Sequence, residues 1–241
     1  MAPRLLGILG GMGPLASADF VAKLIAATPA ASDQDHVPFL LWSVPQIPDR
    51  NLALAGTGPS PVPAMLRGLH ALRDAGCDLA VIPCNTAHNW YDDLARDAGL
   101  PILHMADAAC AGLAAGTVGL IGTRGTIGSG IYQQRLADRG IDCLVPDLAE
   151  LDDLVMPGIY QVKQGDLTAA AAAFAEVARR LARRGAASVI LACSEVPPAL
   201  SVLPQGSLPP TIDATAALAQ ACVRWWLSAR SDPGSRGSAA P

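Results

Sequence analysis

Two of the six cysteines stand at matched places in the chain, and a thiol is well suited to moving a proton or attacking a carbon. Cys84 follows the apolar run Leu79–Ile82, and Cys193 follows Ser188–Leu191. Each is succeeded by polar residues able to open a helix, Asn85-Thr86 and Ser194-Glu195. Free backbone N–H groups at such a place favour negative charge, so both thiols are expected to be drawn from about 8.5 toward neutrality. Two like acid/base groups facing each other suit inversion at a carbon centre. One thiolate takes the Cα proton while the opposing thiol delivers another to the far face. A hydrolase needs one nucleophile with a base and has no use for a matching second thiol. Asn85, Thr86, Thr123 and Ser194 are short donors at strand ends, and Arg50 and Lys163 can hold carboxylates, so the substrate expected is small and anionic. Cys77, Cys110, Cys143 and Cys222 read as small packing residues.

The elements that must position these groups are legible as alternating runs. Leu5–Leu9, Phe39–Val44, Leu79–Ile82, Val118–Ile121, Cys143–Val145 and Ser188–Leu191 predict strands. Ser17–Ala27, Pro63–Ala75, Ile131–Arg139, Ala169–Arg184 and a final Thr215–Leu227 predict helices. Continuous apolar strands imply burial on both faces, hence an α/β protein with parallel sheet flanked by helices. Glycines at 7, 10 and 13 recur at 119, 122 and 125, which is 112 positions later. The interval from Gly76 to Cys84 recurs from Gly185 to Cys193, which is 109 positions later. Two landmarks in the same order at nearly one offset predict two similar lobes in tandem. The expected division is an N-terminal lobe of residues 1–106 plus 212–229, a C-terminal lobe of 107–211, and a disordered tail over 230–241. Trp225 and Trp226 on the last helix are expected to pack in the core or against a second subunit.

Composition narrows the class. Apolar residues are 51% of the 241 and charged residues 16%, which supports a large core and excludes disorder. The net charge of −4, with no basic run, argues against nucleic acid or an anionic membrane as partner. No stretch of 18 uninterrupted apolar residues predicts a membrane span. Arg4 with Leu5–Leu9 loosely imitates a secretory leader, but Gly10, Gly11, Gly13 and Pro14 read better as a glycine turn after a first strand. Six cysteines without CxxC pairs or dense spacing predict a reduced, cytoplasmic enzyme. Lys23 and Lys163 are the only lysines against fifteen arginines, a bias attributed to base composition except at Lys163.

At the functional residues the chain resembles a known family. Gly10-Gly11-Met12-Gly13-Pro14, Asp33-Gln34-Asp35-His36, Pro45-Gln46-Ile47-Pro48-Asp49-Arg50 and Pro83-Cys84-Asn85-Thr86-Ala87-His88 resemble the aspartate/glutamate racemases. So do Gly122-Thr123, Lys163-Gln164-Gly165 and Ala192-Cys193-Ser194-Glu195, and the likeness runs in order over about residues 4–227. It implies two pseudosymmetric Rossmann-like lobes with the active site in the cleft between them, usually as a homodimer. It also implies racemisation of an amino acid, with acidic ones preferred, without pyridoxal phosphate, metal or nucleotide. Carried over by motif, Cys84 and Cys193 match the catalytic pair. Asn85, Thr86 and Ser194 match positions near the α-carboxylate and amino group, and Gln46, Arg50 and Lys163 match the side meeting the distal carboxylate. Met12, Thr123 and Glu195 complete the expected substrate-binding set. Ser194 and Ser17 stand where the family usually has threonine, and Val196-Pro197-Pro198 departs from the usual Leu-Pro-Leu.

The same residues admit three rival readings. Gly11-x-Gly13-x-x-Ala16 loosely matches a dinucleotide fingerprint, but the second strand ends at Pro45 without the expected acidic residue. Cys84 and His88 are spaced i, i+4, with His104 as a further neighbour, which suggests a cysteine hydrolase or zinc site, yet two ligands make no closed zinc centre. His88 is expected to cap or support instead, and His36 and His70 to lie on the surface. A decarboxylase or isomerase of small dicarboxylates is the nearest alternative, and retention of both cysteines favours racemisation over it.

Overall fold

A computed structural model describes residues 4–230. The chain forms two parallel sheets. The first has the order β2-β1-β3, from β1 (Leu6–Gly10), β2 (Phe39–Ser43) and β3 (Leu79–Val81). The second has the order β5-β4-β6-β7, from β4 (Gly116–Gly122), β5 (Ile141–Leu144), β6 (Ser188–Ala192) and β7 (Thr211–Asp213). In each, the first strand in sequence sits centrally between the next two: Leu6 pairs with Phe39 and Leu79, and Val118 with Cys143 and Ser188. This is the duplication that the glycine and cysteine intervals predict.

The repeated glycines have repeated reasons. A Cβ on Gly7 would meet Leu72 and Cys77 at 3.1–3.2 Å, and one on Gly119 would meet Leu181 and Val189 at 3.1–3.2 Å. Each absence lets a helix lie close against the central strand: Val62–Asp74 on β1 and Leu167–Arg183 on β4. Gly76 and Gly185 turn those helices into β3 and β6 with φ of +87° and +104°, a conformation costly to residues with a Cβ.

The main helices are α1 (Pro14–Ala27), α2 (Val62–Asp74), α3 (Met105–Cys110), α4 (Ile131–Ala137), α5 (Met156–Gln164), α6 (Leu167–Arg183) and α7 (Ala214–Arg230). One core spans both sheets: Ile8, Phe20, Met105, Leu120, Tyr132, Ile190, Leu218 and Trp226 belong to a single buried cluster. It forms because α7 returns to pack on α1 and α3. Lys23 on α1 pairs with Asp19 and with Asp213 at the end of β7, so it ties the first helix to the second sheet. Trp226 is buried in that core, and Trp225 is half-buried with the Arg4 guanidinium 5.3 Å over its ring.

Three expectations need amendment. The strand Phe39–Val44 is not buried on both faces: Leu40, Leu41 and Trp42 are exposed, because β2 is the edge of its sheet. Residues 212–213, placed with the N-terminal lobe, belong to β7, a fourth strand paired with β6 in the second sheet. Residues 148–164, assigned no element, are helical throughout despite Pro157-Gly158. Asp147 caps this stretch, Leu151–Val155 winds as a wider π-helical turn just before Pro157, and Gly158 admits Phe174, whose ring would lie 2.8 Å from a Cβ there. Of the expected tail over 230–241, Arg230 ends α7 and the rest lies outside the described residues. Among them no helix is long and apolar enough to cross a membrane.

Candidate active site

β3 and β6 occupy equivalent places in the two sheets, so the residues just beyond their C-terminal ends are equivalent too. Ligands of open parallel sheets bind at that edge. There Cys84 and Cys193, 5% and 3% exposed, line one small chamber with Met12, Arg50, Asn51, Asn85, Thr86, Thr123, Ile159, Lys163, Ser194 and Glu195. The chamber holds 10 Å³, about one water. Beside it opens a vestibule of 510 Å³, walled by the glycine loop, the start of α1, Pro45, Ile47, Asp49 and Val162. Arg50, Lys163 and Glu195 face both spaces.

Hydroxyls and amides close the chamber from the two sides. Thr86 Oγ1 lies 2.8 Å from Thr123 Oγ1 and 3.1 Å from Thr126 Oγ1, and those two are 3.1 Å apart. Asn51 Oδ1 accepts from the Gly125 N–H at 3.2 Å. Asn85 is held by a residue of the C-terminal half, because the buried Tyr132 hydroxyl on α4 donates to its Oδ1. That bond fixes the amide with Nδ2 buried and unpartnered, a donor left over for a bound acceptor.

The cationic side is more engaged than expected. Arg50 donates from Nη1 to the carbonyls of Ile47 and Pro48 at 3.2 and 3.0 Å, and from Nη2 to that of Met12 at 3.4 Å. Only Nε is without a partner. Lys163 Nζ stands 4.0 Å from Asp49 Oδ2 and 5.5 Å over the Tyr160 ring. With Asp49 and Glu195 opposite Arg50 and Lys163, the charges on the vestibule wall balance. Gln46 is exposed and lines neither space; its neighbours Pro45 and Ile47 do.

The two thiols are not electrostatically alike. Cys193 Sγ donates to Glu195 Oε2 at 3.0 Å. Burial first, and the adjacent carboxylate second, push this thiol well above its ordinary range. The expectation of a thiol drawn toward neutrality therefore fails at Cys193, because desolvation and a like charge outweigh a short helix start. Ser194 Oγ also donates to Glu195 Oε2, at 3.3 Å. Thr86 and Thr123 spend their hydroxyls on each other and on Thr126. Asn51, Thr126, Tyr132 and Ile159 were absent from the sequence-based set. Asn51 adjoins a chosen residue and Thr126 comes just after the repeated glycine, whereas Tyr132 and Ile159 carry no local signal.

The rival readings meet specific obstacles. Ser17 closes the glycine loop, accepting from the Gly11 N–H and donating to the Gly13 carbonyl at 2.9 Å each. Glu195 Oε1 stands 3.5 Å from where a Cβ of Gly13 would be, so a pyrophosphate at this helix start would face a carboxylate. His88 cannot serve Cys84 as a base. Its Nε2 accepts from the Met105 N–H at 3.2 Å, so the ring proton is on Nδ1, donating to the Cys84 carbonyl at 3.0 Å. His104 Nδ1 accepts from the Ala106 N–H and caps α3. Among the described residues no three His, Cys, Asp or Glu side chains are grouped to hold a metal.

The chain is similar to known racemases in sequence and in fold. Residues 9–222 match the family model for Asp/Glu/hydantoin racemases. The aspartate racemase of Picrophilus torridus superposes with a TM-score of 0.80 at 33% identity, covering 92% of this chain and 94% of that one. A broad specificity amino-acid racemase of Bacillus subtilis is 27% identical over 235 residues, covering 94% of this chain and 100% of that protein. A glutamate racemase of Corynebacterium kroppenstedtii is 32% identical over 156 residues, covering 60% of this chain and 52% of that protein.

The two buried histidines make the fold acid-sensitive. Burial lowers His88 from 6.5 to about 4; His104, depressed by burial and then by His88 and Arg135, falls to about 2. Both are neutral in the folded chain, while the unfolded chain protonates them below about 6.5. Their stabilising contribution is complete above that pH and is lost as the pH falls from 6.5, toward about 4 for His88 and about 2 for His104. Each should add a slope of up to about 1.4 kcal/mol per pH unit in that window. Urea unfolding between pH 4.5 and 6.5 should show this loss, and His88→Gln should flatten it by about one proton's slope whatever its absolute cost. An unchanged slope would mean that His88 is charged in the fold.

Proposed function

This chain belongs to the Asp/Glu/hydantoin racemase family, and from that premise we propose that it interconverts the L and D forms of an acidic amino acid, aspartate first, by proton transfer between Cys84 and Cys193 without a cofactor. Membership makes it an isomerase of the amino-acid racemase type. The observation that carries the two-thiol reading is the meeting of both cysteines, from equivalent strand ends of the two sheets, in one buried chamber.

A substrate seated there presents its Cα between the thiols. One sulfur, as thiolate, takes the α-proton, and the other gives its proton to the opposite face. The carbanion is stabilised by donors on the adjoining α-carboxylate, for which Asn85 Nδ2 is the group held ready. A chamber of 10 Å³ excludes bulk water from that charge and also requires its walls to part for entry. The six free cysteines support a reducing, cytoplasmic setting. The exposed apolar face of β2 supports the family's homodimer, twice the 24.7 kDa chain.

Replacing either Cys84 or Cys193 by Ala should abolish net racemisation in both directions, because removal and return occur on opposite faces. Each variant should keep slow α-proton exchange of one enantiomer only, and the two should favour opposite enantiomers, as followed by proton NMR in deuterated water. Near wild-type racemisation by either variant would exclude the two-thiol mechanism. The preference for acidic substrates rests on Lys163 and on Arg50 Nε at the vestibule. A charge-assisted hydrogen bond is worth about 1.5–3 kcal/mol, so Lys163→Ala should cost aspartate turnover roughly 10- to 150-fold and alanine turnover far less. Equal losses on both would favour the second reading that the balanced wall charges support, a wider range of amino acids.

A further inference from the structure

Asn85 Nδ2 is the donor left over in the chamber, and its direction is set by a residue that does not line it. A carboxamide carries an acceptor at one end and a donor at the other, and a half-turn exchanges them with almost no change of shape. Turned one way, Asn85 offers N–H bonds to a bound carboxylate; turned the other, it offers an oxygen that repels one. Its neighbours do not substitute for it. Thr86 and Thr123 bond to each other and to Thr126, and Ser194, which matches Asn85 after the second cysteine, donates to Glu195.

The group that selects between the two orientations is the Tyr132 hydroxyl. Tyr132 is fully buried in the core that joins the two sheets, on α4, which packs against β5 and α3. Its hydroxyl donates to Asn85 Oδ1, and no other described residue accepts from it. A reversed amide would leave the phenol proton buried without an acceptor. Burial first, and the nearby Cys110 second, hold this hydroxyl protonated well above its ordinary range, so it stays a donor.

We propose that Tyr132 is a positioning residue for the racemisation: by donating to Oδ1, it turns Asn85 so that Nδ2 faces the α-carboxylate of the substrate. The proposal rests on the racemase reading and adds to it a residue that touches neither substrate nor thiol. Tyr132 belongs to the half built on the second sheet and Asn85 to the first, so the donor is aimed only when the halves are together. As the α-proton leaves, negative charge grows on the carboxylate, and an N–H already aimed at it needs no reorganisation.

Tyr132→Phe removes the hydroxyl and keeps the ring, so the core remains filled. With aspartate it should lower kcat/KM roughly 10- to 150-fold, as expected for losing one hydrogen bond to a charged group. Because Tyr132 acts through Asn85, the effects should not add. Asn85→Ala combined with Tyr132→Phe should stay within about twofold of Asn85→Ala alone. A change that merely disturbed the loop carrying Cys84 would fall on that thiol, whereas an aimed amide serves removal from either face. Tyr132→Phe should therefore slow α-deuterium exchange in the Cys84→Ala and Cys193→Ala backgrounds by factors within about threefold of each other. A second measurement needs no turnover. Succinate, with two carboxylates at the spacing of aspartate's, should bind Tyr132→Phe about threefold or more weakly than wild type by calorimetry, and the double variant should bind it as Asn85→Ala does. Additive losses, a loss confined to the Cys193→Ala background, or unchanged succinate binding would overturn the proposal. If the wild type did not turn over aspartate, the racemase reading would be at fault, and succinate binding would still decide whether Tyr132 aims Asn85.

Discussion

The site depends on one constraint: two strand ends from different sheets must be pressed edge to edge until their thiols share a space without bulk water. Neither half can do this alone. Thr86, Thr123 and Thr126 form a closed ring of hydroxyls across the join, and Asn51 and Tyr132 reach over it to Gly125 and Asn85. Buried polar groups left unpaired cost about 1–3 kcal/mol each, so these partners penalise any slip between the halves. The return of α7 onto α1 and α3, which fuses the two apolar layers into one core, supplies the adhesion that this polar seam lacks.

Duplication explains the geometry and also limits it. Repeated glycines let α2 and α6 pack alike against β1 and β4, which brings β3 and β6 to matched ends. The residues after each cysteine are free to diverge. On one side the chain continues into threonine and a seam; on the other, into glutamate, whose carboxylate accepts from the Cys193 thiol. Chemistry that looks symmetric at sulfur is therefore asymmetric one atom further out, and Cys193 is the thiol that burial and a carboxylate together hold away from ionisation.

The sequence makes legible what depends on spacing along the chain. The cysteine pair, the doubled glycine pattern and six of the seven strands come from local runs, and a thiol after a buried parallel strand stands at the ligand edge. It leaves obscure what depends on distant partners. Gln46 sits in a motif that reaches the site through Pro45, Ile47 and Arg50, but its own side chain turns to solvent. Tyr132 has no motif, and only the packing of α4 brings its hydroxyl to Asn85. β7 is three residues long, too short to register as a pattern. The Cys193 environment is a balance between helix start, burial and carboxylate, and only the folded distances decide it.

Racemisation in deuterated water, stopped at a few per cent conversion, tests the central claim most directly. With two thiols on opposite faces, the newly formed enantiomer should carry deuterium at Cα in nearly every molecule, while the recovered substrate keeps its proton. Protium retained in the product would mean that a single base returns the proton it removed, and the paired-thiol account would be contradicted.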